Sequence, residues 1–514
     1  MNTDVNYYRV RRTIIGIFFF LSALAISDCS RFMSEPTAVP IDVELDMPQE
    51  VIEGGVNLDA LDQTWDGYGE VVGVHGDVLV VGASEWNQCG PGSAFVYRFS
   101  DGQWQEESRL TASDREVFEK QARRFESQRF GSSVAVGEGV VAVGAPGNAY
   151  PVTGEYTGAV YLFEYDGQTW KDTAKLAADR LDLHTAQTEV DLSICGRMKP
   201  RNFGALVALD GDTLAVGGDS NRDSVYIYQR GENGWRKQAR LLIPGSAGKD
   251  LYMVFMDLFG DTLALSAFYA SPQSEQDMFL TGKVIVYVFE RTGNTWQQSF
   301  RFIPEDSDKD LLFPREVNVG ASVALGGESG QANLLAIGLP GFPDWTGDLD
   351  VAFLGVEPEK IEFPESNRKT GAVYIFERGE DGGWKPQSTL RPAGLENPPG
   401  PGSFFSRNPS PTEIAAYVFP GDLYSEDPEI SFFGSTVDLD EQQLAVTAGF
   451  ANATYVFERQ GRDWVYRFRI IPDRVGEGLW EDYAQVVAIN QCNLLLGTPG
   501  EFGDSAYVFD LCVP

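Results

Sequence analysis

Three carboxylates at alternate positions are the first residues whose spacing suggests chemistry. They are Asp306, Asp308 and Asp310, in the stretch Asp-Ser-Asp-Lys-Asp. Oxygen ligands at this spacing are typical of loops that bind Ca²⁺, which also need a glycine at the sharp turn. Leu311 stands at that position here. We therefore interpret the stretch as a charged surface loop and keep its three aspartates as weak metal candidates.

A second acidic stretch places an aromatic side chain among carboxylates. It contains Asp344, Trp345, Asp348 and Asp350. An indole ring offers an apolar face to a sugar and attracts a cation through its π electrons, while carboxylates accept hydrogen bonds from hydroxyl or ammonium groups. These four residues are candidate contacts for a sugar or a basic group. A plain solvated loop is the alternative interpretation.

The sequence contains none of the common catalytic or nucleotide-binding motifs. Its two histidines, His75 and His184, are far apart, and no His-Glu-x-x-His, Gly-x-Ser-x-Gly or P-loop pattern occurs. Pairs of carboxylates hydrolyse glycosides in many enzymes, but 75 acidic residues produce such pairs by chance. We assign no catalytic residue and no cofactor, and we keep a carbohydrate-active enzyme as the alternative.

The chain carries a strong negative charge. Its 514 residues include 40 lysines and arginines against 75 aspartates and glutamates, which gives a formal net charge of −35. Such a surface repels phosphate backbones, so we exclude nucleic acid as a partner. The charge is compatible with cation binding, with a basic partner, or simply with solubility.

The N-terminus has the layout of a secretory signal. Arginines precede the apolar run 14–25, which is shorter than the about 20 residues that a membrane helix needs. We predict a signal peptide over residues 1–29, a linker over 30–40, and an extracellular, periplasmic or outer-surface location without a transmembrane segment. Cys29 ends a segment similar to a bacterial lipobox, although Asp28 stands where a small residue is expected. A lipid anchor at Cys29 stays an open alternative.

A recurring segment dominates the rest of the sequence. Residues 130–147 read as two short apolar strands, A and B, around a tight turn that contains glycine. Each such segment is followed by an apolar strand C, and in six of seven units a turn and a tryptophan then open a strand D. The seven segments begin at Tyr68, Phe130, Phe203, Tyr252, Val319, Phe433 and Tyr483. The repeat predicts an all-β fold, a seven-bladed β-propeller of four-stranded antiparallel blades.

The last unit stops at Pro514 after its third strand. A missing outer strand would leave an edge that is prone to aggregation. We therefore predict that part of residues 41–59 pairs as the outer strand of the last blade, so that residues 41–514 form one propeller domain.

Besides Cys29 the chain has four cysteines. An even number favours two disulfides in an exported chain. Cys492 lies in the last A–B turn and Cys512 ends the adjacent strand, so we predict that these two pair. Cys89 and Cys195 lie in loops at the opposite end of the blades, where a second pair is feasible. No Cys-x-x-Cys pair occurs, which argues against a zinc site.

The segment at Phe130 resembles the FG-GAP repeat of integrin α-subunit propellers and their bacterial relatives. Phe130-Gly131 and Gly144-Ala145-Pro146 match the signature in full, and the other units match it in part. The resemblance implies a propeller with a binding or adhesive role, often with calcium held in the A–B turn.

Most A–B turns of this chain are too short for such a calcium loop. The longer one, residues 325–333, has no carboxylate at the ligand positions Leu325, Gly327, Ser329 and Asn333. A hard cation needs about six or more oxygens, mostly from carboxylates. We therefore interpret this segment as a calcium loop that has lost its ligands, and only calcium at another site stays open.

Loop lengths differ between the two ends of the predicted blades. The A–B and C–D connections at one end are short, whereas several B–C and D–A connections at the other end are long: 111–129, 177–202, 340–369 and 391–432. Rigid scaffolds present variable loops for binding, although insertions also collect wherever folding tolerates them. We predict an exported propeller that binds a protein or polysaccharide through this long-loop face. A structural envelope protein without a specific ligand is a further alternative.

Overall fold

The computed structural model describes the chain in segments. The described ranges are 42–45, 51–53, 56–58, 67–84, 90–116, 128–148, 158–178, 203–218, 223–245, 250–270, 279–303, 311–314, 321–328, 330–340, 371–392, 433–448, 453–471, 486–490, 493–498 and 505–511. β-Strands make up most of these ranges. No helix within them is long and apolar enough to cross a membrane.

Three short strands precede the first repeat unit, and four sheets follow. The short strands are β1 (Asp42–Leu45), β2 (Val51–Glu53) and β3 (Val56–Asn57). Blade 1 consists of β4 (Tyr68–His75), β5 (Val78–Ala83), β6 (Ser93–Ser100) and β7 (Gln103–Leu110). Blade 2 consists of β8 (Ser133–Gly137), β9 (Val140–Ala145), β10 (Ala159–Tyr165) and β11 (Trp170–Leu176). Blade 3 consists of β12 (Leu206–Asp210), β13 (Thr213–Gly217), β14 (Ser224–Gly231) and β15 (Gly234–Leu242). Blade 4 consists of β16 (Asp250–Phe259), β17 (Thr262–Ala270), β18 (Phe279–Thr292) and β19 (Thr295–Phe302), with β20 (Leu311–Pro314) paired to β18.

The remaining three sheets follow the same order. Blade 5 consists of β21 (Ser322–Glu328), β22 (Gln331–Leu339), β23 (Ala372–Arg378) and β24 (Trp384–Pro392). Blade 6 consists of β25 (Phe433–Leu439), β26 (Gln443–Ala448), β27 (Ala453–Gln460) and β28 (Asp463–Ile471). Blade 7 consists of β29 (Val486–Asn490), β30 (Asn493–Thr498) and β31 (Ser505–Asp510). Each strand pairs antiparallel with the next one of its blade.

The seven sheets form a closed ring. Their inner strands touch in the order β4, β8, β12, β16, β21, β25 and β29, and β29 in turn touches β4. The seven-bladed propeller predicted from the repeat is therefore confirmed. Inner strands such as β9, Val-Val-Ala-Val-Gly-Ala, are buried at every position because neighbouring blades cover both faces. The outer strand β11, Trp-Lys-Asp-Thr-Ala-Lys-Leu, buries only its tryptophan.

Glycines of the recurring signature form the contacts between successive blades. Gly131 has a φ of +94°, and a Cβ on it would lie 2.2 Å from the carbonyl oxygen of Ser93 in blade 1. A Cβ on Gly82 in blade 1 would lie 2.2 Å from the carbonyl oxygen of Gly131. The same contact joins Gly144 to Gly204, Gly338 to Gly434 and, across the ring closure, Gly497 to Gly69. The signature therefore recurs because only glycine lets two backbones approach this closely.

The predicted closure of the last blade is confirmed. Strand β3 pairs antiparallel with β31, with Val56 opposite Val508 and Asn57 opposite Tyr507. The next residue, Leu58, accepts hydrogen bonds on its carbonyl oxygen from Tyr68 Oη at 2.5 Å and from Tyr97 Oη at 3.1 Å in blade 1. The N-terminal segment therefore joins blade 7 to blade 1.

The N-terminal segment also covers two further blades. Strand β1 pairs parallel with β24 at the edge of blade 5, and β2 pairs parallel with β28 at the edge of blade 6. We call β1, β2 and β3 the N-terminal strap. The sequence analysis placed part of this segment on the last blade and gave no partner for the rest, because runs of three or four residues carry no information about which edge they cover.

The segment 325–333 is mostly strand, which corrects its interpretation as a longer turn. Strands β21 and β22 continue to Glu328 opposite Gln331, with a bulge between Gly326 and Gly327. Leu325, a supposed ligand position, lies inside β21 and is buried. The extra residues lengthen the hairpin, because they pair across it instead of forming an open loop.

Candidate binding face

The residues singled out from the sequence as site or disulfide candidates lie outside the described residues. They are Cys29, Cys89, Cys195, Asp306, Asp308, Asp310, Asp344, Trp345, Asp348, Asp350, Cys492 and Cys512. Their metal, ligand, lipid and disulfide assignments stay predictions. Within the described part of the chain, no group of three or more histidine, cysteine, aspartate or glutamate side chains could hold a metal ion.

The two ends of the blades can be compared directly. We call the end with the A–B and C–D turns the turn face, and the end with the B–C and D–A connections the loop face. On the turn face, arginines near the end of strand C reach the preceding blade. Arg230 lies 2.8 Å from Glu164, Arg378 lies 2.6 Å from Glu290, and Arg459 lies 2.7 Å from Glu377.

The tryptophans that open strand D add a second set of contacts between blades on the turn face. Four of the six donate their indole N–H to a side chain of the preceding blade, whereas the indole nitrogens of Trp104 and Trp235 have no partner among the described residues. The pairs are Trp170 with Glu107 at 2.7 Å, Trp296 with Gln238 at 3.1 Å, Trp384 with Glu290 at 3.3 Å, and Trp464 with Gln387 at 3.2 Å. These side chains are engaged in holding the ring together.

The loop face of blade 2 carries a polar cluster formed by Asp114, Gln128, Asn148, Tyr161 and Lys175. Asp114 accepts hydrogen bonds from Tyr161 Oη at 2.6 Å, from Gln128 Nε2 at 2.8 Å and from Lys175 Nζ at 2.7 Å. Asn148 Nδ2 donates to Tyr161 Oη at 3.0 Å, and Asn148 Oδ1 accepts from Lys175 Nζ at 2.9 Å. Asp114 is therefore the centre of the network. We call these five residues the blade 2 cluster.

The blade 2 cluster fixes the ends of two connections. Asp114 precedes the segment 117–127 and Gln128 follows it, so their hydrogen bond joins its two ends. Asn148 precedes the segment 149–157, and its carbonyl oxygen accepts from Gly158 N at 3.0 Å on the far side. Gly147 N donates to the carbonyl oxygen of Gln128 at 3.1 Å, which links the two connections. Both loops thus start and end on one rigid platform.

Burial and hydrogen bonding set the protonation states of the blade 2 cluster. Burial alone would raise the pKa of Asp114, but hydrogen bonds from Lys175 and Tyr161 outweigh it and hold that pKa below its usual range. Burial, followed by the hydrogen bond to Asp114, raises the pKa of Tyr161. Burial also raises the pKa of the neighbouring Asp172. Asp114 is thus a carboxylate at neutral pH and pairs with an ammonium that is 31% exposed.

The unsatisfied acceptor of the blade 2 cluster is the side-chain oxygen of Gln128. Gln128 is buried, and its Oε1 has no hydrogen-bond partner among the described residues. Its amide nitrogen donates to Asp114, so the amide orientation is fixed by that carboxylate. Buried acceptors are normally satisfied in folded proteins.

Lys175 belongs to a ring of basic side chains that the sequence analysis missed. Five of the outer strands carry a basic residue five positions after the tryptophan: Arg109, Lys175, Arg240, Arg301 and Arg469. Each lies opposite an aromatic residue of strand C, respectively Phe95, Tyr161, Tyr226, Tyr287 and Tyr455. The cationic group lies over the opposite ring at 4.9 Å for Arg109, 5.2 Å for Lys175 and 5.6 Å for Arg240.

This basic ring lies near the loop-face end of the outer strands. The Trp-x-x-x-x-Arg/Lys spacing is visible in the sequence and could have revealed it. The register with strand C and the contact of Asp114 with Tyr161 need the structure, because these two residues are 47 positions apart.

Comparison with known proteins gives one family match. The FG-GAP repeat model matches residues 104–163, which include most of blade 2 and the outer strand of blade 1. None of the curated proteins matches the chain.

Several solved structures are similar to this chain at low sequence identity and with TM-scores below 0.5. A chain of the mitotic checkpoint complex is 11% identical with a TM-score of 0.41, covering 96% of this chain and 100% of that one. The WD40 domain of Toxoplasma gondii coronin is 8% identical with a TM-score of 0.41, covering 93% and 89%. The periplasmic gluconolactonase of Pseudomonas aeruginosa is 13% identical with a TM-score of 0.35, covering 82% and 84%. Similarity at this level says nothing about function.

The blade architecture and the repeat match agree with each other. A propeller fold with FG-GAP repeats suggests a protein-interaction module. The match over residues 104–163 and the closed ring of seven blades fit an FG-GAP β-propeller family.

Proposed function

We propose that this protein is an exported propeller that binds a protein or polysaccharide partner through its loop face. The observation that carries the proposal is the blade 2 cluster, which fixes both ends of two connections on one side of the ring. The arginine and tryptophan side chains of the turn face are engaged between blades instead. The loop face thus combines a rigid platform with segments that differ from blade to blade.

A rigid platform favours binding because the loops need less ordering when a partner docks. The basic ring adds a local positive potential to a chain whose net charge is −35. Opposite potentials guide encounter and discriminate between partners. An acidic polysaccharide or an acidic protein surface fits this arrangement better than a cationic one.

Binding can be tested with a glycan array and an array of purified surface proteins. We expect the full chain to bind at least one immobilised ligand, and the variant Asp114→Ala to bind it more weakly because the loop platform loosens. The matched control is Asp212→Ala, an exposed aspartate in a turn-face turn of blade 3. Equal binding by all three proteins, or a loss with Asp212→Ala alone, would contradict the proposal.

Export can be tested by fractionating cells that produce the full chain. We expect the protein outside the cytoplasm, without residues 14–25, and retention in the cytoplasm when these residues are deleted. Cys29→Ala separates a lipid anchor from simple secretion, because loss of the anchor would move the protein from the membrane to the soluble fraction. An intact N-terminus on a cytoplasmic protein would contradict export.

A further inference from the structure

The outer edges of the blades are of two kinds. In blades 5 and 6 the outer strands β24 and β28 carry a fifth, parallel strand from the N-terminal strap. In blades 1 to 4 the outer strands β7, β11, β15 and β19 end their sheets within the described residues. An exposed edge presents unpaired backbone N–H and C=O groups that can pair with another extended chain. The strap therefore shows how such an edge is occupied in this molecule.

The strap and the edges that it covers have complementary charge. Strand β1 reads Asp-Val-Glu-Leu and β2 reads Val-Ile-Glu. Strand β24 carries Lys385 and Arg391 without an acidic residue, and β28 carries two arginines and one aspartate. In the parallel register Glu44 lies opposite Arg391. Acidic and apolar residues alternate on β1, β2 combines two apolar residues with Glu53, and both receiving strands carry a net positive charge.

Strand β15 of blade 3 is the most basic of the uncovered edges. It carries Arg236, Lys237 and Arg240 and no acidic residue. By contrast, β7 carries two glutamates and one arginine, β11 two lysines and one aspartate, and β19 a single arginine. By charge, β15 is the edge that best matches a segment like the strap.

The end of β15 also exposes an apolar side chain. Leu242 is 60% exposed, more than any other large hydrophobic residue among those described. Leu242 pairs with Ser224, directly after the pair of Leu241 with Val225. The residues at the same place in the outer strands of blades 5 and 6 are Arg391 and Ile471. Those two residues lie opposite Glu44 and Glu53 of the strap. The position covered by the strap in two blades is open to solvent in blade 3.

We propose that the outer edge of blade 3 is a docking site for an extended acidic and apolar segment of a partner protein, which adds as a parallel fifth strand along β15. Backbone hydrogen bonds along the strand supply affinity, as in other cases of strand addition. Arg236 and Lys237 attract acidic side chains of the segment, whereas Arg240 already lies 3.7 Å from Asp223. An apolar residue of the segment covers Leu242, at the position where the strap places Glu44 in blade 5 and Glu53 in blade 6. This site lies along the outer edge of blade 3, and Arg240 near its loop-face end also belongs to the basic ring.

A synthetic peptide of residues 41–55 of this chain, labelled with fluorescein, is the probe. Its fluorescence anisotropy is measured during titration with the full-length protein. We expect saturable binding that the double variant Arg236→Glu/Leu242→Asp weakens at least about tenfold. The matched control is Lys171→Glu/Ala177→Asp at the equivalent positions of blade 2, which we expect to bind as the unsubstituted protein does. A peptide with its acidic residues replaced by lysine should not bind.

A photoreactive version of the peptide gives a second measurement that does not depend on the variants. Cross-linking followed by peptide mapping should place the adduct on residues of β15 or its immediate neighbours. Adducts confined to β24 and β28 would show that the peptide replaces the strap of the same chain, and would overturn the proposal. Absence of binding, or equal binding by the blade 3 variant, would overturn it as well.

Discussion

The turn face and the loop face of this propeller use repeated residues in different ways. On the turn face a repeated arginine or tryptophan joins one blade to the one before it, as Arg378 does with Glu290. On the loop face a repeated basic residue pairs with an aromatic ring of its own blade, as Lys175 does with Tyr161. In blade 2 a part-buried network around Asp114 adds to this pair. The comparison teaches that residues repeated in several blades build the ring, whereas function has to be sought in what one blade adds.

The largest effect is expected at the glycine contacts between blades. Gly144→Ala places a Cβ 2.0 Å from the carbonyl oxygen of Gly204, so the two blades must separate. We expect a loss of about 3 kcal/mol in the free energy of unfolding, measured by urea denaturation. The control is Gly231→Ala, because a Cβ there meets no atom within 4 Å. Equal stability of the two variants would show that the glycine contact does not hold the ring.

The tryptophans of the turn face allow a matched pair of substitutions. Trp170 and Trp104 are both 8% exposed, but only the indole N–H of Trp170 has a partner, Glu107, since Trp104 Nε1 has none among the described residues. Blade 1 follows blade 7, whose outer strand β3 has two residues. We expect Trp170→Phe to cost about 1–2 kcal/mol more than Trp104→Phe, because it removes a hydrogen bond to a charged acceptor. Thermal unfolding of both variants, analysed with the unfolding enthalpy, measures the difference.

Because of Asp114 on the loop face, we expect the stability of the protein to depend on pH. The pKa of Asp114 is lowered in the folded state, so its contribution is present above the unfolded pKa of about 4 and is lost as the pH falls through the folded pKa. We expect Asp114→Asn to lower the free energy of unfolding by about 1 kcal/mol at pH 7, with a smaller difference at pH 3. Urea denaturation at both pH values measures this. A constant difference at the two pH values would contradict the assignment of the charge to Asp114.

The smallest effect on stability is expected from adding or removing calcium. The A–B hairpin of blade 5 has Leu325 and Gly327 inside a strand, at positions where the resemblance to FG-GAP propellers places ligands. We expect millimolar Ca²⁺ or its removal by a chelator to change the melting temperature by less than about 1 °C, since a ligand that binds the folded state raises stability by mass action. A clear rise with Ca²⁺ would reveal a site elsewhere, for which Asp306, Asp308 and Asp310 are the first residues to substitute.

The sequence was sufficient to predict the propeller and its closure. Alternation of apolar strands with Gly-containing turns fixes the strand order, and the predicted outer strand of blade 7 is supplied by β3. The positions of β1 and β2 could not be predicted. Such short acidic and apolar runs fit several edges equally well, and the choice depends on the path of the chain around the ring.

The candidate site was less accessible to sequence reasoning than the fold. Asp114, Gln128 and Asn148 are ordinary polar residues in connections, and nothing in their spacing distinguishes them from solvated side chains. They become a network because the ring brings the end of blade 1 beside Tyr161 and Lys175 of blade 2. Loop length in the sequence pointed to the same end of the blades, but it gave no reason to prefer blade 2.

We propose that the loop face binds the partner and that the turn face holds the blades together. These two roles can be tested within a single hairpin. Arg301, near the loop-face end of β19, and Asn294, in the C–D turn, are both exposed and belong to the same blade. A photoreactive amino acid at either position, in protein added to the producing cells, captures whatever binds nearby. We predict a defined adduct from position 301 that the unlabelled protein competes away, and none from position 294. An adduct from position 294 alone would contradict the assignment of the loop face as the binding face.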